Sequence, residues 1–482
     1  MERELERNVV CRQGWRIVLQ TWSTPTTTRP AQGRDERERD LRHLNPRKMG
    51  NQCCRTAKEP PVIFTDVTSS DLLALAYEGP LLVRLVHANN VPHMDVASPS
   101  DVYVNAELIE PSGEQVGTAK WPVKWSCSDP RWESARIFGD RPPATNAKLR
   151  LHFYDKDDSN ADDYIGTTDV KVSLIKSTAT ELPIALHHKT KPLKAGPPTC
   201  TILREPISRY QVRSGAPKVI YVVRHGESVW NKAQADKQFY TMLSATDHPL
   251  NETGRQQAES LCASLKAGGA HADEMLKAER VMCSPLTRAI QTCLIGIEPL
   301  LLRPFGGDGV QSGTKVHLNP NLREKRNAGG KDSSGKWYGD DVTIGVHDAL
   351  DKLLADKPDV LSALKGVPLG LEHVQDKWWL GSKESEGSVK ERIAELLYQL
   401  RFDTACSQVL VGHSHYFREL FRHFAAGHCT LADGTGQPLP TEEMTSKKLS
   451  NAGVAKCVLD FENHPEQPVV SVQLLFETQL VS

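Results

Sequence analysis

A chain of 482 residues is too long for one hydrophobic core, and its length implies roughly two to four domains. Its 39% hydrophobic and 25% charged residues are ordinary for a globular protein, and a net charge of −1 excludes a global field directed at nucleic acid or membrane. The 11 cysteines include no zinc-spaced CxxC pair, no apolar run approaches the ~18 residues of a membrane-spanning helix, and the Glu2-Arg3-Glu4 start is unlike a secretory signal, which together predict a cytoplasmic location.

Residues 1–60 differ from the rest. A Thr/Pro stretch at 25–30, the alternating charges Arg34-Asp35-Glu36-Arg37-Glu38-Arg39 and little apolar content predict a mostly disordered segment. It is locally basic, with 13 Lys/Arg against 7 Asp/Glu over residues 1–58, a charge of +6. The internal stretch Met49-Gly50-Asn51-Gln52-Cys53-Cys54 carries no meaning as it stands. With translation from Met49 it looks like an N-myristoylation site at Gly50 with palmitoylation at Cys53 and Cys54, although Cys54 replaces the usual Ser or Thr. Two such acyl signals anchor stably where one is marginal.

From 61 to 205, short β-rich runs such as 81–86, 102–104 and 149–154 are separated by Gly, Pro, Asn and Asp, a spacing that predicts an all-β sandwich. A basic, polar joint is expected at 206–216. Over 217–482, strands and helices alternate. Val219-Ile220-Tyr221-Val222-Val223 suits a strand buried on both faces, and residues 253–266 form a helical pattern with Thr253 and Gln256 spaced as a capping box. A strand at 280–283 precedes a helix expected to start at Pro285, and a helix at 388–401 precedes a strand at 408–411. Such alternation predicts a mostly parallel sheet flanked by helices, with active residues beyond the carboxyl ends of its strands.

The chemistry concentrates at those ends. Val223-Arg224-His225-Gly226-Glu227-Ser228-Val229-Trp230-Asn231 leaves the buried strand, Ser284-Pro285-Leu286-Thr287-Arg288-Ala289 follows another, and Val411-Gly412-His413-Ser414 ends a third. Two arginines and two histidines so placed can converge on one tetrahedral oxyanion, because guanidinium offers planar paired donors to phosphate oxygens. Taken singly, Arg288 could be a helix-surface charge, His413 a structural histidine, and Glu324, among Arg323, Lys325 and Arg326, a paired surface charge.

Together these motifs, with Leu322-Arg323-Glu324 between them, resemble the histidine phosphatase superfamily, the phosphoglycerate mutase-like enzymes, over about residues 217–482. The resemblance implies that His225 attacks phosphorus and that Arg224, Arg288 and His413 hold the equatorial oxygens. It also implies that Glu324 protonates the leaving group and that Ser228, Asn231 and Ser414 lie at the substrate. No cofactor is implied for catalysis, since the arginines neutralise the charge. The sequence departs from glycolytic mutases between Lys232 and Leu250, in the altered segment from Glu324 to Asp332, and at Ser414, where Asn is usual after Gly-His. These departures favour a phosphatase over a mutase. Arg323, Lys325, Arg326 and Lys331 suggest a multiply anionic substrate, or equally a solvated loop face.

In the β-rich region Asp95, Asp101, Asp155, Asp157 and Asp163 fall on two loops, where five carboxylates repel one another unless a cation sits among them; oxygen donors at this density suit Ca²⁺, although solvated Asp loops are common. The Asp spacing, Ser100-Asp101-Val102-Tyr103 and Ser128-Asp129-Pro130-Arg131-Trp132 resemble a C2 domain over about residues 78–205. That resemblance implies Ca²⁺-dependent binding to anionic membrane phospholipids. The expectation is therefore a multidomain protein, an all-β C2 sandwich followed by an α/β phosphoglycerate mutase-like domain. It is expected to act as a phosphatase on a phosphorylated substrate with peripheral membrane association and no nucleic-acid partner. A mutase of the same mechanism, or a Ca²⁺-dependent membrane adaptor that only binds phosphate, are the rival readings.

Overall fold

A computed structural model describes residues 8–10, 16–18, 79–94, 99–157, 161–187, 196–207, 210, 217–303, 314–326, 331–379 and 383–482. The expected acylation stretch at 49–54, Asp95 and most of the segment expected to be disordered lie outside them. Two compact units are distinguished, Met1–Thr65 and Asp66–Ser482. In the first, strands β1 (Asn8–Val10) and β2 (Arg16–Val18) pair antiparallel.

The second unit opens with β3 (Leu81–Asn89), β4 (Val102–Ile109), β5 (Gln115–Lys124), β6 (Arg131–Phe138), β7 (Lys148–Asp155), β8 (Asp163–Lys171), β9 (Thr180–Pro183), β10 (Ala185–Leu186) and β11 (Thr199–Glu205). They form two antiparallel sheets, ordered β10-β8-β7-β4-β5 and β6-β3-β11-β9. In β7, Leu149, Leu151 and Phe153 are fully buried while the residues between them are not, the period-two pattern of a strand with one face on a core. Trp121 and Trp132 are fully buried as well. Each indole N–H donates to a carbonyl, that of Ser134 at 2.9 Å and that of Pro122 at 2.8 Å, so their burial leaves no donor orphaned.

The α/β region contains β12 (Lys218–Arg224), α1 (Val229–Ala235), α2 (Phe239–Ser244), α3 (Glu252–Ala267), α4 (Ala270–Met275), β13 (Arg280–Cys283), α5 (Thr287–Gly296), α6 (Glu298–Leu301), β14 (Val316–Leu318), α7 (Asp341–Leu353), α8 (Pro358–Lys365), β15 (Leu369–Gly370), α9 (Glu386–Arg401), β16 (Ser407–Gly412), α10 (Ser414–Phe424), β17 (Ala425–Ala432), β18 (Pro438–Leu439), α11 (Glu442–Ser446), β19 (Lys448–Leu449), β20 (Val454–Leu459), β21 (Val469–Leu475) and β22 (Leu480–Val481). Nine of these strands form one sheet, ordered β15-β14-β13-β16-β12-β20-β21-β17-β18, and β19 pairs with β22 apart from it. The five strands from β15 to β12 are mutually parallel, whereas β20 runs antiparallel to β12.

The apolar runs are explained by two cores, one on each face. Tyr221 and Val223 of β12 and Val409 and Val411 of β16 pack with α3, α5 and α7. Ile220, Val222 and Leu410 point the other way, onto α9 and α10. At ~1.5–3 kcal/mol for each fully buried aliphatic side chain, neither face tolerates a polar residue, hence the unbroken run at 219–223.

Two expected helix starts are corrected. The helix at 252–267 is capped by Asn251, whose side chain accepts from the Gly254 N–H at 2.9 Å, while Gln256 bonds to Glu252. The Thr253/Gln256 pair is thus not a capping box. The helix expected from Pro285 starts at Thr287, because Leu286 holds an extended conformation.

The sandwich rests on α9. Arg136 of β6 forms a buried ion pair with Glu395, and its guanidinium lies 4.1 Å from the Tyr398 ring centre. Arg84 of β3 donates to both Glu205 oxygens and to the Phe402 carbonyl at 2.9 Å. Ile207 and Tyr210, from the stretch read as a joint, pack with Leu82, Ala135 and Phe402.

Candidate functional site

Register brings the motifs together. Arg224 pairs with Gly412 across β12 and β16, and Cys283 pairs with Val411 across β13 and β16, so three adjacent strands end side by side. Beyond those ends come His225, the Ser284–Arg288 turn and His413. Gly226 must be glycine, since a Cβ there would lie 2.6 Å from the Gly254 carbonyl oxygen. A Cβ on Gly254 would in turn collide with the Glu227 backbone, so the first glycine beyond β12 and the first turn of α3 are packed on each other.

Arg288 organises the cluster. Its Nε donates to His225 Nε2 at 3.2 Å, Nη2 to His413 Nδ1 at 3.3 Å, and Nη1 to the Asp332 carbonyl at 2.7 Å. Because guanidinium only donates, His225 Nε2 has to present its lone pair. The His225 proton then sits on Nδ1, which donates to the Gly226 carbonyl at 2.6 Å. The tautomer is fixed by these two contacts, with Nε2 unprotonated and turned toward Arg288. The same logic gives His413 an unprotonated Nδ1 and an Nε2–H donating to Ser284 Oγ at 2.8 Å.

Burial, then Arg288 and Arg224, hold the His225 pKa well below 6.5. Burial and Arg288 do the same to His413. Arg224 is also buried, and burial lowers its pKa to about 10, opposed by Glu324 and reinforced by Arg288. One Arg224 terminal nitrogen donates to the Leu449 carbonyl at 2.5 Å, but among the described residues its buried Nε has no partner. An orphaned buried donor costs about 1–3 kcal/mol, which an anion at this position would recover.

A pH dependence follows. Unfolded histidine titrates near 6.5, whereas His225 and His413 stay neutral in the fold below that value. The unfolded chain therefore takes up protons that the folded one refuses, so stability is complete above about pH 6.5 and falls as pH drops toward the depressed folded pKa values. Chemical denaturation between pH 7.5 and 5.5 should show this decline. It should be shallower in His225→Gln, by up to about 1.4 kcal/mol per pH unit; an equal slope in the variant would refute the buried neutral state.

Glu324 is buried and anchored. Its Oε1 accepts from the backbone N–H of Tyr416 in the first turn of α10, at 3.2 Å, and from that of Lys325 at 2.8 Å. The reading of Glu324 as a surface charge is excluded by its 5% exposure. Ser228 and Asn231 engage each other as the capping box of α1, and buried Ser414 opens α10.

Neither reading of the neighbouring cations fits Arg323 and Lys325. Arg323 shares Glu384 with Arg392, and Lys325 pairs with Glu419 at 3.0 Å. Burial would raise the Glu384 pKa, but Arg392 and Arg323 bring it down to about 2. Arg392 also donates to the Asn321 and Arg323 carbonyls, both at 2.8 Å, fixing the segment that carries Glu324.

Asp247 was not singled out from the sequence. Buried at a left-handed φ of 53°, it accepts from the Thr287 N–H at 2.8 Å and Thr287 Oγ1 at 2.7 Å, capping α5 one residue before Arg288. Burial raises its pKa to about 6 against those bonds. The signal was the absence of a capping side chain in Pro285-Leu286, which obliges α5 to borrow one.

At one end of the sandwich, Asp101 precedes β4, Asp155 ends β7, Asp157 lies two residues on and Asp163 opens β8. The cross-strand pairs Val102–Asp155 and Asp155–Asp163 hold these strand ends together. Asp155 accepts from the Asp101 N–H at 2.5 Å, and Asp101 from the Ser126 N–H at 2.6 Å. Asp162, beside Asp163, bonds Lys156 at 2.7 Å and the Tyr103 hydroxyl at 2.8 Å. Elsewhere, Glu386, Glu419 and His423 bring ligand atoms within 4.8 Å of one another, but Glu419 is already neutralised by Lys325 and Arg422. No helix among the described residues is long and apolar enough to cross a membrane.

Comparison with known families finds two matches. Residues 79–184 match the C2 domain, and residues 220–305 match the histidine phosphatase superfamily (branch 1). No curated protein matches the chain. Among solved structures, a C2 domain of plant extended synaptotagmin 1 is 19% identical over 27% of this chain and 95% of its own, with a TM-score of 0.23. A human GIVD cytosolic phospholipase A2 is 21% identical over 27% of this chain, which spans only 16% of that enzyme, with a TM-score of 0.22.

Proposed function

We propose that this chain, which carries a C2 domain followed by a histidine phosphatase superfamily domain, is a phosphatase working through a phosphohistidine at His225 and drawn to anionic membranes by Ca²⁺. We place the C2 domain at 61–205 and a phosphoglycerate mutase-like domain at 217–482. The observation that carries the reading is a neutral imidazole with its Nε2 lone pair facing Arg288, beside an Arg224 whose buried Nε lacks a partner among the described residues.

In this reading the Nε2 lone pair of His225 forms the bond to phosphorus as the bond to the ester oxygen breaks, and Glu324 delivers a proton to that oxygen. Arg224 and Arg288 neutralise the equatorial oxygens together with His413, whose Nδ1 accepts from the Arg288 guanidinium. Ser228, Asn231 and Ser414 border the substrate from two helix starts. Water then attacks the phosphohistidine, giving its proton to the Glu324 carboxylate, and phosphate leaves with the imidazole restored. Neutral His225 at pH 7 is what the first step requires.

The oxygen-only donor set of Asp101, Asp155, Asp157 and Asp163, with Asp95, fits a hard divalent cation. Bound Ca²⁺ would turn the loop tips from repelling anionic headgroups to bridging them. Co-sedimentation with phosphatidylserine vesicles should need Ca²⁺ and should weaken at least about tenfold in Asp157→Asn. Equal binding in chelator would refute the membrane part alone. Phosphate release from a generic phosphomonoester tests the other part, and transfer to a second substrate instead of water would identify a mutase.

A further inference from the structure

The catalytic candidates are closed to solvent, with His225, Arg288 and His413 exposed by 3%, 2% and 0%. A phosphate monoester can meet all three only if part of their cover moves. One piece of that cover touches Arg288 directly, the short turn Lys331–Ser333. The Asp332 carbonyl accepts from Arg288 Nη1 at 2.7 Å, and an Asp332 carboxylate oxygen lies 4.0 Å from Nη2. A carbonyl oxygen with a carboxylate beside it offers the guanidinium an acceptor and a negative charge, the two things a phosphate would offer. In the free protein Asp332 stands where the anion would.

The turn is held from both ends. The Asp247 N–H donates to the Lys331 carbonyl at 3.4 Å, and α2 packs on the turn. Ser334 Oγ accepts from the Arg326 guanidinium. Gly335 lies so close to Trp378 and Trp379 that a Cβ there would stand 2.4 and 2.5 Å from their ring atoms. Trp378 in turn donates its indole N–H to the Trp337 carbonyl at 3.0 Å. Residues 331–335 are thus a strap, anchored on two indoles at its glycine end and laid over Arg288 at its acidic end.

We propose that Lys331–Gly335 is an autoinhibitory strap: Asp332 occupies the phosphate position at Arg288, and substrate binds only when the strap lifts. The inference rests on the assignment of Arg288 to the phosphate. An entering anion has to take the Nη1 donor from the Asp332 carbonyl, and its charge repels the Asp332 carboxylate. Apparent affinity is the intrinsic affinity scaled by the fraction of molecules with the strap lifted. A strap closed in about nine of ten molecules therefore weakens binding about tenfold. This cost falls on binding and leaves the bound complex unchanged.

Calorimetry with tungstate on the full-length protein reads the strap without turnover. Two variants should each tighten tungstate about three- to tenfold. Asp332→Ala removes the carboxylate, and Gly335→Ala adds a Cβ that wedges the strap off the two indoles without changing charge. On an aryl phosphate both should raise kcat/KM by the same factor at unchanged kcat. Wild-type crystals soaked in tungstate should show the Asp332 carbonyl parted from Arg288, a readout that stands even if Gly335→Ala fails to fold. A gain confined to Asp332→Ala, with Gly335→Ala folded, would mean charge repulsion alone. Weaker binding in Asp332→Ala would make Asp332 a substrate contact. Either result overturns the strap, as does tungstate bound with the Asp332–Arg288 contact intact. If neither the wild type nor a variant binds tungstate, the phosphate pocket itself falls and the strap with it.

Discussion

Replacing His225 by alanine is expected to lower kcat by on the order of 10⁴-fold or more and to abolish an acid-labile phosphoenzyme trapped by rapid quench. The size of the loss follows from what remains. Arg224, Arg288 and His413 would still bind and polarise the phosphate, but the Nε2 lone pair that this reading assigns to phosphorus would be gone. The alanine should also leave KM within about an order of magnitude, because the guanidinium donors are untouched. Retained turnover, or a phosphoenzyme of the same lability, would remove His225 from the reaction.

Glu324→Gln is expected to cost about 10²- to 10⁴-fold in kcat on an alkyl phosphate, and less than about tenfold on 2,4-dinitrophenyl phosphate. A poor leaving group needs the proton that Glu324 would supply, whereas dinitrophenolate departs without it. The substitution is close to isosteric, and a glutamine oxygen can still accept from the Tyr416 and Lys325 N–H groups that Glu324 Oε1 now serves. The start of α10 should therefore keep its position. Equal losses on the two substrates would mean that Glu324 only anchors the helix.

The helix α9 connects the two parts of the second unit. One of its residues, Glu395, is bonded to the sandwich through Arg136; another, Arg392, is bonded through Glu384 to Arg323 and directly to the backbone before Glu324. Removing one member of a buried pair strands the other charge, at about 3–5 kcal/mol. The sandwich is therefore part of what holds α9, and α9 part of what holds the Glu324 segment.

Much of the architecture was legible because it depends on local patterns. The unbroken run at 219–223 implied a strand covered on both faces, and the run at 149–154 implied a strand of a sandwich, where Leu149, Leu151 and Phe153 take the covered face; both follow because side-chain period is set by backbone geometry. The grouping of Arg224, His225, Arg288 and His413 was also legible, since parallel strands place their exits along one sheet edge. Helix starts were less so. Asn251 displaced Thr253 as the cap of α3, and α5 took its cap from Asp247, 40 residues before Thr287, because a cap needs only a carbonyl or carboxylate in reach and the fold can bring one from anywhere.

From sequence alone came the presence of the anion-directed cluster, the oxygen-rich loops and the order of the two folds, because these rest on which residue types occur and how they are spaced along the chain. Only tertiary structure decided the charge accounting. Arg323 and Lys325 look like free cations in the sequence, yet each has a carboxylate brought from residues 384 and 419. The lone pair on His225 Nε2 was settled the same way, by an arginine 63 positions away. Pairing energies depend on distance and burial in three dimensions, and neither can be read from separation along the chain.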